Sequence, residues 1–376
     1  MKWMLLITLL TAIPIYSASS TTTTVARSSE ERVIENPESL LDLCASYIVK
    51  NKRNPRLGIT PWKKNCVPAE LASLLEKFNW KEANYNNTEN SYGLETICLN
   101  PNGKIICSAA KDNSIKVLLE TGKILASLQG HTSKIRSANY DLLGSRICSA
   151  SDDTTIKIWD TKTNQCLATL QGHTSFVRSA SFSPDGTRIC SASDDGTVKI
   201  WDTESNSCLA TLAEHANAVR SANYNRDGTK ICSASDDGTI KIWNSIDGSC
   251  LATLAGHGSA ALQSLFSNNG KIICSIYQDG TVNIYNAETL EVLASKKLVT
   301  VTPEFTPSIA FCPNDSCIYY SVNNRLYILS VNTLKSIAQA EPSFNDIKAI
   351  TVSPNGNKIY AVCKNELFSW SNVAFE

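Results

Sequence analysis

The chain repeats itself with a step of 42 residues, and any fold it adopts has to accept the same local structure again and again. Gly-His or an equivalent pair ends at His131, His173, His215 and His257, and Trp159, Trp201 and Trp243 keep the same step, with Tyr285 next in register. In the copy from Gln171 to Asp202, apolar and polar residues alternate over Val177 to Phe182, Thr187 to Ser191 and Thr197 to Trp201. Period-2 alternation is the signature of half-buried strands. Ser183-Pro184-Asp185-Gly186 and Asp194-Asp195-Gly196 lie between them and place turn formers, with Gly free to take positive φ, where antiparallel hairpins must reverse. Cys208 to Leu212 supplies a fourth strand.

A period near 42 with Gly-His and Trp-Asp marks resembles the WD-repeat family, whose units are four-stranded blades of a β-propeller. Along the strand that carries Trp, weaker copies place Leu118 before the series and Leu329 and Trp370 after it. The expectation is therefore an all-β, seven-bladed WD-repeat propeller over residues 81–376, preceded by a short helical segment. The same resemblance implies a polar network in each blade, in which His bridges Ser and Asp while Trp donates its indole N–H. Full sets are His131/Ser149/Asp153/Trp159, His173/Ser191/Asp195/Trp201 and His215/Ser233/Asp237/Trp243. His257/Ser275/Asp279/Tyr285 is a variant with a phenol for the indole. The first blade lacks His and Trp and the last two keep almost nothing of the network, so these should be the loosest.

Charge and cysteine content exclude several function classes. Lys+Arg and Asp+Glu both number 35, so no field of one sign recommends nucleic acid or a membrane surface. Of 14 cysteines, Cys107, Cys148, Cys190, Cys232 and Cys274 share one repeated strand position, and Cys166, Cys208 and Cys250 another. The two positions of one blade lie on strands separated by a third, about 9 to 10 Å apart, too far for a disulfide. These thiols read as core residues suited to a reducing compartment. With no C-x-x-C pair, neither zinc nor a redox cofactor is expected.

The start of the chain points elsewhere. Lys2, the apolar run Trp3 to Leu10 extending to Ile15, and Ser17-Ala18-Ser19 have the layout of a secretory signal over residues 1–19. Residues 20–36, with SSTTTT, read as a disordered spacer. Export sits badly with so many free thiols, which leaves two expectations for location: secretion with delivery to a reducing host cytosol, or an envelope protein with its thiols buried in blades.

Residues 37–80 read as helical. Leu40, Leu41, Cys44, Tyr47 and Ile48 form one apolar face after Pro37, and Leu71, Leu74, Leu75 and Phe78 another after Pro68. Ser39-Leu40-x-x-x-Cys44-x-x-x-Ile48 resembles the BC-box, and Val67-Pro68 follows at the distance seen in suppressor-of-cytokine-signalling boxes (SOCS boxes). That resemblance implies elongin B and C and a cullin as partners, with Leu40 and Cys44 inserted into elongin C. Val67-Pro68-Ala69-Glu70-Leu71 also resembles the opening of an F-box, which implies a Skp-type adaptor instead. An amphipathic hairpin packed on the propeller is the third reading. A strand over 78–83 is expected to complete the last blade.

No histidine is left over for a Cys-His or Ser-His nucleophile pair. All four histidines occupy the Gly-His position, and no phosphate-binding glycine loop opens a helix. The expectation is a monomeric, non-enzymatic platform for a protein or peptide, with no cofactor and no small-molecule substrate. Its face is expected at the strand starts, where Arg136, Arg178 and Arg220 stand in register with Asp152, Asp194 and Asp236, joined by Lys134 and Phe176 in a charged ring around the channel mouth. The competing expectation is that Arg and Asp neutralise one another across blades as surface pairs.

Overall fold

The computed structural model describes residues 93–256, 258–301, 307–323, 325–334, 336–340, 347–363 and 366–372, together with three backbone strands nearer the start, Thr23–Val25, Arg32–Ile34 and Trp80–Asn84. Two compact units result, one of residues 1–81 with 372–376 and one of residues 82–371. Every regular element among the described residues is a strand.

In the first unit, Thr23–Val25 pairs antiparallel with Arg32–Ile34, with Thr23 opposite Ile34. The sequence reading had only a spacer here. β-Branched Thr and Val suit a pleated strand, a preference that the low-complexity composition obscured. Residues 1–19, and Leu40, Cys44, Ile48, Val67 and Pro68 of the helical reading, lie outside the described residues.

The described residues form seven four-stranded sheets, six of them simple meanders and the last a three-strand meander joined by one strand from earlier in the chain. Blade one runs from Cys98–Leu99 to Ile124–Leu128, blade two from Ile135–Tyr140 to Cys166–Leu170, and blade three from Val177–Phe182 to Cys208–Leu212. Blade four spans Val219–Tyr224 to Cys250–Leu254, blade five Ala261–Phe266 to Val292–Lys297, and blade six Ser308–Phe311 to Ser336–Ala340. Blade seven comprises Ile347–Val352, Lys358–Cys363 and Glu366–Asn372, with Trp80–Asn84 as its fourth strand. In blade three the second and third strands are Arg188–Ser193 and Val198–Asp202. Each starts one residue later than its alternation suggests, because Thr187 and Thr197 spend their N–H groups on Asp185 and Asp195 within the turns.

The third-strand register proves the seven copies equivalent. Trp159, Trp201 and Trp243 stand opposite Ile147, Ile189 and Ile231. Leu118, Tyr285, Leu329 and Trp370 stand likewise opposite Ile106, Ile273, Ile318 and Ile359. Cores form between blades rather than within them: Cys148, Ile156 and Leu170 of blade two pack with Val177, Ile189 and Trp201 of blade three. One step on, Ile200 and Leu212 meet Val219 and Trp243. Each fully buried indole removes roughly 200 Å² from water, worth about 5 kcal/mol before entropy is counted. Ile106 and Leu118 packing with Tyr360 and Val362 join blade one to blade seven.

Hydrogen bonds tie the inner strands of neighbours together. Ala180 N–H donates to Ser137 Oγ, Ala222 N–H to Ser179 Oγ and Ser264 N–H to Ser221 Oγ, all at 3.0 Å. The inner-strand edges, which would otherwise present unpaired backbone groups, are thereby engaged. The repeated thiols divide into two kinds. Cys148 and Cys190 are buried and donate to Ala180 O and Ala222 O of the next blade, both at 3.5 Å. Cys166 and Cys208 are exposed and Cys250 is half-buried, which corrects the reading of that position as core. They lie on the outermost strand, where only the final Leu170, Leu212 or Leu254 turns inward.

Candidate interaction surface

The polar network is built the same way in blades two, three and four. His131 Nδ1 lies 2.7 Å from Asp153 Oδ2 and its Nε2 lies 2.7 Å from Ser149 Oγ, which accepts from Trp159 Nε1 at 2.8 Å. His173 and His215 make the same contacts, at 2.7 Å to Asp195 and 2.8 Å to Asp237, and 2.8 Å to Ser191 and 2.7 Å to Ser233. Trp201 and Trp243 donate to those serines at 2.8 Å. One proton arrangement satisfies every group: Trp N–H to Ser, Ser O–H to Nε2, and Nδ1–H to the carboxylate. In blade three the Gly-His mark has a steric cause as well. Gly172 has φ +148°, and a Cβ there would sit 3.3 Å from Trp201 Cη2.

Ser, His and Asp in this order have the connectivity of a catalytic triad. The serine is no nucleophile, since Ser149 is 0% exposed and its lone pair is capped by Trp159. Burial pushes the Asp195 carboxyl up, but hydrogen bonds from His173, Thr197 and the Thr174 N–H outweigh it and hold the group below its ordinary range. Burial opposed by Thr239 and His215 likewise leaves Asp237 at about 2. Burial dominates for His131 and His215, whose pKa values fall despite their carboxylate partners. At His131 and His215, neutral imidazole against ionised carboxylate is the resting state near neutrality.

Blade five departs from the expected variant. Tyr285 O–H does not stand in for the indole toward Ser275. It lies 3.1 Å from Tyr277 O–H and accepts from Asn283 Nδ2 at 2.9 Å. A phenol reaches further than an indole N–H and on a different vector, so it finds a different partner. Asp279 caps its own turn, accepting from Thr281 N at 3.0 Å, and His257 lies outside the described residues.

At the ends of blades two, three and four where the second strand turns into the third, Arg and Asp of the same blade meet. Arg136 Nε and Nη2 donate to Asp152 at 2.7 and 2.6 Å. Arg178 and Arg220 form the same two-pronged pairs with Asp194 and Asp236. The only cross-blade contact of this group among the described residues is Arg220 Nη1 to Asp194 at 3.9 Å, so neutralisation across blades is corrected to neutralisation within them. The register explains this: Arg is the second residue of the first strand, and Asp follows the second strand, hydrogen-bonded through its N–H to Lys134 O, Phe176 O or Ala218 O at 2.9 Å.

The charges form an arc rather than a ring. At the Arg and Asp positions, blade five carries Leu262 and Gln278. On the other side, Glu95 of blade one pairs with Lys134 of blade two and, at 2.9 Å, with Lys348 of blade seven. Burial raises the Glu95 carboxyl, but the two lysines overcome this and lower it. Phe176 stands in this arc 43% exposed, its ring 5.5 Å from the Arg178 guanidinium carbon. Aromatic residues and Arg are both enriched at protein interfaces, and a guanidinium over a ring adds a cation–π attraction.

Sequence reasoning missed three sets of residues. Thr155, Thr197 and Thr239 donate to the network Asp at 2.6, 2.7 and 2.7 Å. Ser137, Ser179 and Ser221 form the inter-blade bonds described above, and Glu95 and Lys348 extend the arc. The first two sets recur at the 42-residue step and were available to a closer count. The last depends on which blades meet when the ring closes.

Matches to known proteins cover short stretches of the chain. The chain is 34% identical over 67 residues, 17% of its length, to 8% of a Schizosaccharomyces pombe periodic tryptophan protein 2 homolog. It is 28% identical over 99 residues, 26% of its length, to 31% of a Danio rerio THO complex subunit 6 homolog. To Saccharomyces cerevisiae COMPASS component SWD3 it is 30% identical over 74 residues, 20% of the chain and 24% of that protein. The matches thus span less than a third of each of these relatives. A family model described as the IFT122 first beta-propeller matches residues 94–372. With most of its length so covered and the WD network in place, the chain belongs to that family of WD-repeat β-propellers.

Proposed function

We propose that the protein is a non-enzymatic interaction platform that captures a protein or peptide on the arc formed by Arg136, Arg178 and Arg220 with their aspartates, Lys134 and Phe176. The observation that carries this is the exposed Phe176 ring beside Arg178 and Asp194, an aromatic anchor within a rim of oriented charge. Each Arg–Asp pair uses two of five guanidinium N–H groups, so a partner's carbonyls or carboxylates have donors to meet. THO complex subunit 6 and COMPASS component SWD3 are by name parts of complexes, in keeping with a scaffold role. A photo-crosslinking residue at Phe176 should trap a partner that one at Leu143, in the turn at the other end of blade two, does not. Equal trapping at both sites would refute the assignment.

For residues 37–80 we carry the ligase-adaptor reading on the Leu40-x-x-x-Cys44 pattern: elongin B and C with a cullin, or a Skp-type adaptor. Residues 1–19 are read as a signal for secretion, with the envelope as the alternative. Binding of the full-length chain to purified elongin B and C tests the first. N-terminal sequencing of the protein from its native source tests the second, since a start at Met1 would contradict cleavage.

A further inference from the structure

In five blades the residue that follows the first strand offers a side-chain oxygen to the backbone N–H five positions on. Ser183 accepts from Arg188 N at 2.9 Å, Asn225 from Lys230 N at 2.9 Å, and Ser353 from Lys358 N at 2.8 Å. Asp141 and Ser267 do the same at 3.1 Å. In blade six this position is Cys312, and its sulfur accepts the Cys317 N–H at 3.0 Å. A second thiol therefore stands at the donor residue itself.

The backbone sets the two cysteines opposite one another, since Cys312 N–H also donates to Cys317 O at 3.0 Å. Residues facing one another on antiparallel strands have Cα atoms about 4.5 to 5.5 Å apart, inside the range a disulfide spans. Cys312 is 4% exposed and Cys317 half-buried, and the sulfur lies under a thin, exposed turn: it is 2.9 Å from Asn314 Oδ1, to which the thiol donates, and 3.5 Å from Ser316 Oγ. Hydrogen bonding from the Cys317 thiol, stronger than the opposing effect of burial, brings Cys312 down to about 6, while the same contact and burial push Cys317 up. Cys98 and Cys107 also face each other across strands, yet Cys107 is fully enclosed and burial raises it.

We propose that Cys312 and Cys317 are a peroxide-reactive dithiol that closes to a disulfide. The Cys312 thiolate attacks one oxygen of a hydroperoxide. A sulfur–oxygen bond forms, the oxygen–oxygen bond breaks, and the leaving alkoxide or hydroxide takes up a proton, so that sulfur loses two electrons to the peroxide. Cys317 then attacks the sulfenic sulfur. The disulfide forms as hydroxide departs and leaves with the Cys317 proton as water. The substrate class is a small hydroperoxide, and the site is in the turn whose Asp315 carboxylate accepts Asn268 and Asn269 N–H groups of blade five at 2.9 and 2.8 Å.

The test uses the reduced full-length chain with hydrogen peroxide and, separately, limiting iodoacetamide at pH 6.5, read by peptide mass spectrometry. Cys312 should alkylate about tenfold faster than the more exposed Cys166 and Cys208, because its lowered pKa gives it thiolate at that pH and the thiolate is the nucleophile. Peroxide should remove two hydrogens from the peptide holding Cys312 and Cys317 before any other. Cys317→Ser should instead trap a dimedone adduct on Cys312, and Cys312→Ser should give neither product. Serine occupies the same place in blades three, five and seven, so the second variant keeps a residue the turn accepts. Faster labelling of Cys166 or Cys208, or no loss of the two hydrogens, overturns the proposal.

Discussion

Thr154 is a point where one blade is worse built than its copies, and its repair gives a sharp prediction. Its φ is +70°, a region where a β-branched residue is strained, and the copies place Asn113 (+61°), Gly196 (+81°), Gly238 (+84°) and Gly280 (+85°) there. Left-handed backbone costs an ordinary L-residue about 1–2 kcal/mol. Glycine avoids that cost but loses more freedom on folding, about 0.5–1 kcal/mol. Asparagine tolerates the conformation without that entropy loss. Thr154→Asn should therefore stabilise the chain by about 1 kcal/mol, and Thr154→Gly by roughly half as much. The reciprocal change, Gly196→Thr, should cost about 0.5–1 kcal/mol, the strain less the entropy that glycine loses. A Cβ at Gly196 would meet nothing closer than Asn217 O at 3.6 Å, so that cost is backbone strain and not a clash. Urea unfolding of full-length variants, followed by tryptophan fluorescence and compared at equal m-value, measures all three. If Thr154→Asn lowers the midpoint, or Gly196→Thr leaves it unmoved, the strain argument fails.

Other changes test the network, its titration and the adaptor reading. Asp195→Ala should leave His173 and Ser191 underpaired and cost about 1–3 kcal/mol, whereas Asp112→Ala, which loses only the local contacts to Ser114 and Lys116, should cost less; equal shifts in urea midpoint would remove the network argument. Because the folded-state pKa values of His131 and His215 are lowered, the unfolded chain binds protons first, so stability should begin to fall as pH drops below about 6.5. The lowered aspartates, with Asp237 at about 2, should add a second loss as pH falls below about 4; a melting temperature flat from pH 7 to 5 would contradict the first step. Leu40→Asp with Cys44→Lys should abolish elongin C binding and leave propeller unfolding unchanged, since each change puts a charge where the BC-box pattern inserts an apolar atom; binding that survives both changes would end that reading.

Blade number, blade boundaries and the His–Ser–Asp–Trp sets were legible because each mark recurs at one step, and repetition separates signal from chance. Position within a strand was less legible. Cys166 and Cys148 both stand at repeated positions, yet only the second faces a neighbouring blade, and a repeat count carries no information on which strand lies outermost. Tyr285 held the Trp register but not its hydrogen bond, because geometry beyond the register decides where a hydroxyl reaches. Arg178 and Asp194 were recognised as partners, while the arc that Glu95 and Lys348 complete depends on blades far apart in sequence. Cys312 escaped notice because it replaces a turn serine and belongs to neither repeated cysteine class.

The central claim is that the arc's outward charge pattern, and not the stability it lends, selects the partner. Arg178→Asp with Asp194→Arg keeps an ion pair inside the blade but exchanges the charges presented beside Phe176. Affinity of the partner crosslinked at Phe176 should fall at least tenfold in this double variant with the melting temperature unchanged. Undiminished affinity would contradict the claim.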